Sequence, residues 1–288
     1  MTHTLRLVSG TMRCEIVPAL GAAVAGLWVG DVPVLRSTSG ARLASVRDAG
    51  SYPLIPFSNR IGQAQLSWNG TSHPLVRNFL PEPHAIHGIG WQRGWSVLDA
   101  QAHFALLAFE HQADATWPFA FDCSQAFRLG DDALEITLSV TNQSWQVAPF
   151  GLGWHPYFVK RAHSHIRFQA TGRWDMGEDK LPTACTPVAG LDVDCAELDV
   201  DHCFEGWQGG VELRDPVLRA RLSSSLRRLV VFTHPSREFV AIEPVSHVNN
   251  AVNMAPDGDV AALRRLGVEL LEPGHSMTAS MRIDVAPA

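Results

Sequence analysis

Along much of the chain apolar and polar residues alternate with a period of two. Leu134, Ile136, Leu138 and Val140 interleave with Glu135, Thr137, Ser139 and Thr141. That pattern predicts a strand with one face buried. A turn cluster, Gly130-Asp131-Asp132, precedes it, and Phe121, Cys123 and Phe127 mark another strand before the turn. The two strands read as a hairpin. Leu66 and Trp68 lead into Asn69-Gly70, with His73 and Leu75 beyond. Asn-Gly is the strongest short hairpin signal, because both residues tolerate positive φ. The chain closes on a further alternation through Met277, Ala279, Met281, Ile283 and Val285. Helical signals are few. Asp259 to Leu266 predicts two turns, with Asp259 as N-cap and Gly267 as the stop. Many short strands with recurring turns point to a sandwich or a barrel, and periodicity alone does not choose between them.

Composition narrows the class. The chain has 288 residues, 46% hydrophobic and 18% charged, with a formal net charge of −6 and no block of like charge. These values suit a globular enzyme, exclude disorder, and leave no basic stripe for nucleic acid. No linker and no repeat divides the sequence, so one domain over 1–288 is expected. The five cysteines, Cys14, Cys123, Cys185, Cys195 and Cys203, are odd in number and form no C-x-x-C. Reduced thiols in the cytoplasm are the simpler account than a disulfide framework or a zinc site. Met1 to Gly10 lacks the apolar core of a signal peptide, and no apolar run is long enough to span a membrane. Among the 23 basic residues only Lys160 and Lys180 are lysines, which reads as compositional bias.

Chemistry shows where polar residues interrupt apolar sequence. Asn59 and Arg60 follow the run Pro53 to Phe57 and suit a hydroxyl-rich ligand, against a turn Asn beside a surface Arg. His84 and His87 stand three apart with no third metal ligand at a familiar spacing, so His87 before Gly88 is read as a site histidine rather than a metal ligand. His155 lies between Trp154 and Pro156, and the proline places this segment at an edge, bulge or loop mouth. A histidine there can transfer protons near neutral pH, against the alternative of a satisfied core histidine. Trp154 or Tyr157 could stack on a sugar face, or pack in the core. Asp201 is a hydroxyl acceptor or a turn residue. Glu243 ends the apolar run from Phe239, just before Pro244. A carboxylate there is costly unless paired or functional, which makes it the best general-base candidate, with a pKa raised by burial.

Together these segments resemble the aldose 1-epimerase (galactose mutarotase) family. The matching stretches are Asn59-Arg60-Ile61, His87-Gly88, His155-Pro156-Tyr157-Phe158, Asp201 with Phe204, Glu243-Pro244, and the closing Leu271-Glu272-Pro273-Gly274-His275-Ser276. They occur in the family's order over nearly the whole chain, and their combination is closest to the compact bacterial branch. The resemblance implies an all-β fold, a large twisted antiparallel β-sandwich (galactose mutarotase-like supersandwich) with few short helices. It implies anomer interconversion of a monosaccharide without a cofactor. Glu243 would be the base at the anomeric hydroxyl and His155 the acid at the ring oxygen. Arg60, His87 and Asp201 would hold hydroxyls, with Asn59 in support. Nothing resembles a phosphate loop or a dinucleotide fingerprint.

The sequence departs from the family at two places. Residues 79–88 lack the Gly/Asn-rich approach common before the His-Gly, and Ser246 to Asn253 is more polar, with His247, Asn249, Asn250 and Asn253. The sugar therefore stays open among neutral hexose, pentose, deoxysugar and acidic sugar, and so does a monomer or homodimer. Two alternatives stand beside the mutarotase. A hexose-6-phosphate epimerase would need basic residues such as Arg60, Arg77 and Arg93 to converge on the cleft. A non-catalytic carbohydrate-binding protein would not need both Glu243 and His155.

Overall fold

The computed structural model describes residues 3–288; Met1 and Thr2, the start of the stretch read for a leader, lie outside the described residues. Two large antiparallel sheets carry the architecture, one of nine strands and one of eight. The alternating segment forms Ala133–Asn142, whose even-numbered residues from Leu134 to Val140 are buried. It pairs with Phe121–Leu129 through the predicted turn, and on its other side with Ser276–Pro287. Asn69 and Gly70 both take positive φ, 48° and 70°, and close the hairpin of Gln65–Trp68 with Thr71–Pro74. The short helix Val260–Arg265 begins where Asp259 caps it by accepting from the Ala262 amide. Gly267, at φ 85°, ends it. Among the described residues no helix is long and apolar enough to cross a membrane.

The choice left open by periodicity resolves as a sandwich. Side chains from the inner faces of both sheets meet in one core. Phe168 of the nine-stranded sheet packs edge-on against Phe204 of the eight-stranded sheet, 4.9 Å between ring centroids. A smaller sheet of four strands, from Leu5–Ser9 to Val32–Pro33, adds to the same core.

The eight-stranded sheet positions the site. Its centre runs Val200–Glu205, Arg228–Thr233, Phe239–Val245, with Gly153–Trp154 and Tyr157–Val159 both pairing with the last of these. Side chains alternate between faces, so each strand contributes to both. Phe204, Leu229, Val231, Val240 and Ile242 enter the inter-sheet core. Residues of the other parity face outward. Asp201 pairs with Phe232, Phe232 with Ala241, and Ala241 with Tyr157, a single row across four strands. Glu243 stands two residues along the same face from Ala241.

One local expectation needs correction and another is narrowed. Phe239–Val245 does not stop at Glu243 but runs on through Pro244. The amides of Ile242 and Ser246 donate to Pro156 and Leu152, so position 244 faces that same stretch of chain. The ladder is already interrupted there, between the two short strands, and tolerates a residue without an N–H. Of the edge, bulge or loop mouth that Pro156 allowed, His155-Pro156 is an interruption inside the sheet, between two short strands that both pair with Phe239–Val245. The His155 amide turns instead to the Tyr52 carbonyl at 3.0 Å.

Candidate active site

Over the outer face of the eight-stranded sheet lies a cavity of about 300 Å³, small enough to suit a single small ligand. Asn59, Arg60, His87, His155, Tyr157, Asp201 and Glu243 all line it. These residues range from position 59 to position 243, and the fold brings them together from four strands and three connecting segments.

Glu243 and His155 form its floor. Oε1 of Glu243 is 3.2 Å from Nε2 of His155, and both side chains are almost fully buried. Oε2 of Glu243 and Nδ1 of His155 have no hydrogen-bond partner among the described residues. Burial drives the Glu243 pKa well above the usual carboxylate range, the Asp201 charge adds to this, and Arg60 opposes it. Burial also drives His155 well below the usual imidazole value, helped by His87 and Arg36. Each charge alone is therefore disfavoured, and both shifts favour a neutral carboxyl facing a neutral imidazole.

The loops set the other wall. Asn59 and His87 are both left-handed, at φ 53° and 61°. Non-glycine residues adopt that conformation rarely, and it clusters at functional sites. They support each other: the His87 amide donates to the Asn59 carbonyl at 2.8 Å, and the Asn59 amide donates to His87 Nδ1 at 3.1 Å. Because Nδ1 accepts, the ring proton sits on Nε2. Burial, with the Arg60 charge, holds the His87 pKa down to about 3, so the ring is neutral and offers an N–H. Gly88 follows because a Cβ there would lie 2.0 Å from the Ile55 carbonyl oxygen, on a backbone at φ +67°. Arg60 donates to Asn59 Oδ1 at 3.1 Å and to Glu82 Oε1 at 3.3 Å, and its buried Nε has no partner among the described residues.

Trp154 does not reach the cavity. Its strand parity points it into the inter-sheet core, where it is 1% exposed and donates from Nε1 to Gln125 at 2.9 Å. Tyr157, three residues on and across the break, faces the site. It stacks on His155 at 4.3 Å, and its hydroxyl lies 3.0 Å from that of Tyr52. His84 diverges from His87; its ring accepts from the Gln63 amide and donates to the Asp179 carbonyl. Arg77 and Arg93 are not among the lining residues, and Leu271 to Ser276 forms a turn held by Asn142 rather than a wall of the site.

Several lining residues escaped the sequence reading: Tyr52, Glu82, Lys180, Phe232 and Arg237 among them. Rarity was the available signal for two. Tyr52 and Tyr157 are the chain's only tyrosines, and Lys180 is one of two lysines. The unexpectedly polar stretch after Glu243 has a structural role. His247 Nε2 accepts from the Ser58 amide, Asn250 Oδ1 accepts from the Gly62 amide, and Asn253 Oδ1 accepts from the Ser67 amide. These three side chains hold the segment that carries Asn59 and Arg60.

His247 also makes a stability prediction. Burial lowers its pKa from 6.5 to about 4, so the unfolded chain binds the proton more readily. The stabilisation is complete above pH 6.5 and is lost as pH falls towards 4, roughly 3 kcal/mol in all. Urea midpoints at several pH values should show His247→Gln with a shallower loss of stability on acidification than wild type. Parallel slopes would mean that His247 is not held neutral.

A family model described as aldose 1-epimerase matches residues 3–284. The uncharacterized Escherichia coli (strain K12) protein YphB is 29% identical over 296 residues, covering 97% of each chain. A solved Escherichia coli K12 structure, provisionally named an aldose 1-epimerase, superposes with a TM-score of 0.88 at 26% identity over 99% of each chain. A galactose mutarotase-like protein from Clostridium acetobutylicum shares the fold at a TM-score of 0.85 and 19% identity, over 98% of this chain and 95% of its own. Since the family model spans almost every described residue, from the first strand through the segment that carries Glu243, the chain belongs to the aldose 1-epimerase family.

Proposed function

We propose that the protein is a mutarotase that interconverts the α and β anomers of a free monosaccharide by acid–base ring opening. The observation that carries this reading is the buried contact of Glu243 Oε1 with His155 Nε2 at 3.2 Å, in a cavity lined by hydroxyl-binding groups. The two shifts rest the pair's proton on Glu243, and the catalytic form, with Glu243 a carboxylate and His155 an imidazolium, arises when that proton crosses the 3.2 Å contact. Glu243 takes the proton from the hydroxyl on C1 while His155 gives one to the ring oxygen. The C1–O5 bond breaks, C1 becomes an aldehyde, and C1–C2 rotates. Closure on the other face returns both protons. The anomeric and ring oxygens share one carbon, so an acid and a base that touch each other can serve both. They need not stand on opposite sides of the bond. His87 Nε2–H and the Arg60 guanidinium supply donors to the sugar, and Asp201 supplies an acceptor.

Proton sharing gives the reading a distinctive pH profile. The active pair holds one proton. With the imidazole pushed down and the carboxyl pushed up, that state persists across a wide neutral range. We expect kcat/KM to be flat around neutrality. It should fall on the acid side when the pair gains a second proton, and on the alkaline side when it loses its last. Polarimetry of freshly dissolved α-aldoses at varied pH tests both parts. No acceleration over buffer for any aldose overturns the reading, and a single step near pH 6.5 overturns the shared proton.

A further inference from the structure

Glu82 belongs to the stretch that departs from the family's sequence, and it lines the cavity. Its Oε1 binds two cations at once, Arg60 Nη2 at 3.3 Å and Lys180 Nζ at 3.2 Å. Its Oε2 makes no hydrogen bond among the described residues. Burial pushes its pKa up, but the hydrogen bonds and charges of Arg60 and Lys180 outweigh this and hold it below the ordinary carboxylate range. Glu82 is therefore an ionised acceptor at neutral pH. The loop that brings Lys180 is anchored independently, because His84 Nε2 meets the Asp179 carbonyl at 2.9 Å. The Arg60–Glu82 pair is thus part of the wall, with side chains 11% and 17% exposed, and Lys180, 55% exposed, joins it at the rim.

The geometry points to Glu82 as a specificity-determining residue: its outer oxygen accepts from a sugar hydroxyl, and its charge cancels one of two adjacent cations, so the site favours an uncharged sugar over one bearing a carboxylate or phosphate. This rests on the mutarotase reading only for the identity of the ligand as a monosaccharide. Without Glu82, Arg60 and Lys180 would lose the carboxylate that bridges them beside the cavity, a change that favours anions. Glu82 does not touch the Glu243–His155 contact, so its influence falls on binding rather than on the proton transfers.

Calorimetric titration with a neutral hexose, the matching hexuronate and the matching hexose 6-phosphate tests this by binding alone. Wild type should bind the neutral hexose most tightly. Glu82→Gln should weaken the neutral sugar by about tenfold, the loss of one charge-assisted hydrogen bond, and tighten the two anions. Glu82→Asp, which keeps the charge, should retain most of the neutral preference. Lys180→Gln should move the anions in the opposite direction from Glu82→Gln, and it carries the test if the Gln variant at position 82 does not fold. An unchanged preference in Glu82→Gln, or a wild type that favours either anion, overturns the proposal. Absence of anomer exchange by wild type would count against the mutarotase reading and would leave these binding ratios as decisive as before.

Discussion

Glu243→Gln should slow anomer exchange by about 10²–10⁴-fold with little change in KM. The amide keeps the shape of the side chain and removes the base. It also keeps the side chain at the same depth, 2% exposed, beneath the same neighbours. Asn59, Arg60, His87 and Asp201 would still hold the sugar, so ground-state binding should persist. Stability should move the other way. Glu243 is buried, has one oxygen without a partner among the described residues, and its charged form is disfavoured by Asp201. A neutral amide removes that charged form, and the thermal midpoint should be equal to or above that of wild type. A rise in stability with a fall in rate is the signature of a group retained for chemistry. A variant that turned over normally would remove Glu243 from the mechanism.

Arg228→Met should be strongly destabilising. Arg228 is buried and spends its guanidinium on four acceptors. It meets Glu205 through Nε and Nη2, both at 2.8 Å, the Ser246 carbonyl through Nη1 at 2.9 Å, and the Arg265 carbonyl. Gly267 must be glycine beside it, since a Cβ there would lie 2.2 Å from Arg228 Nη1. Methionine preserves much of the volume but strands Glu205 and two carbonyls. Breaking a buried ion pair from one side costs about 3–5 kcal/mol, and the half-exposed Glu205 places this case near the lower figure. For a chain of 288 residues that corresponds to a midpoint lower by roughly 5 °C. Calorimetric scanning checks it, and an unchanged midpoint would show that the network contributes nothing net.

Period-two patterning made the strands readable, because burial of one face is a local constraint written every second residue. Asn69-Gly70 and the Asp259 cap were readable because turn and cap chemistry is equally local. Glu243 and His155 stood out as polar groups in apolar surroundings, a conflict that folding tolerates at a functional site. Parity would also have separated Trp154 from Tyr157, had the break at His155-Pro156 been visible as an interruption inside the sheet. Glu82 and Lys180 were not readable at all. Their meeting depends on two loops 98 residues apart in sequence, and no local pattern records such a contact. The strand through Pro244 was misjudged for a similar reason: whether a proline ends a strand depends on what its neighbour offers.

The central claim is that Glu243 and His155, sharing one proton, exchange the anomers of a free sugar. Exchange NMR of the anomeric protons of unlabelled aldoses tests it most directly, since it reads the two anomers at equilibrium and needs no coupled enzyme. Wild type should produce cross-peaks between α and β signals at mixing times where buffer gives none, and Glu243→Gln should abolish them while line broadening still reports binding. An aldose panel that gives no enzyme-dependent cross-peaks, or a Glu243→Gln variant that gives them undiminished, would contradict the account.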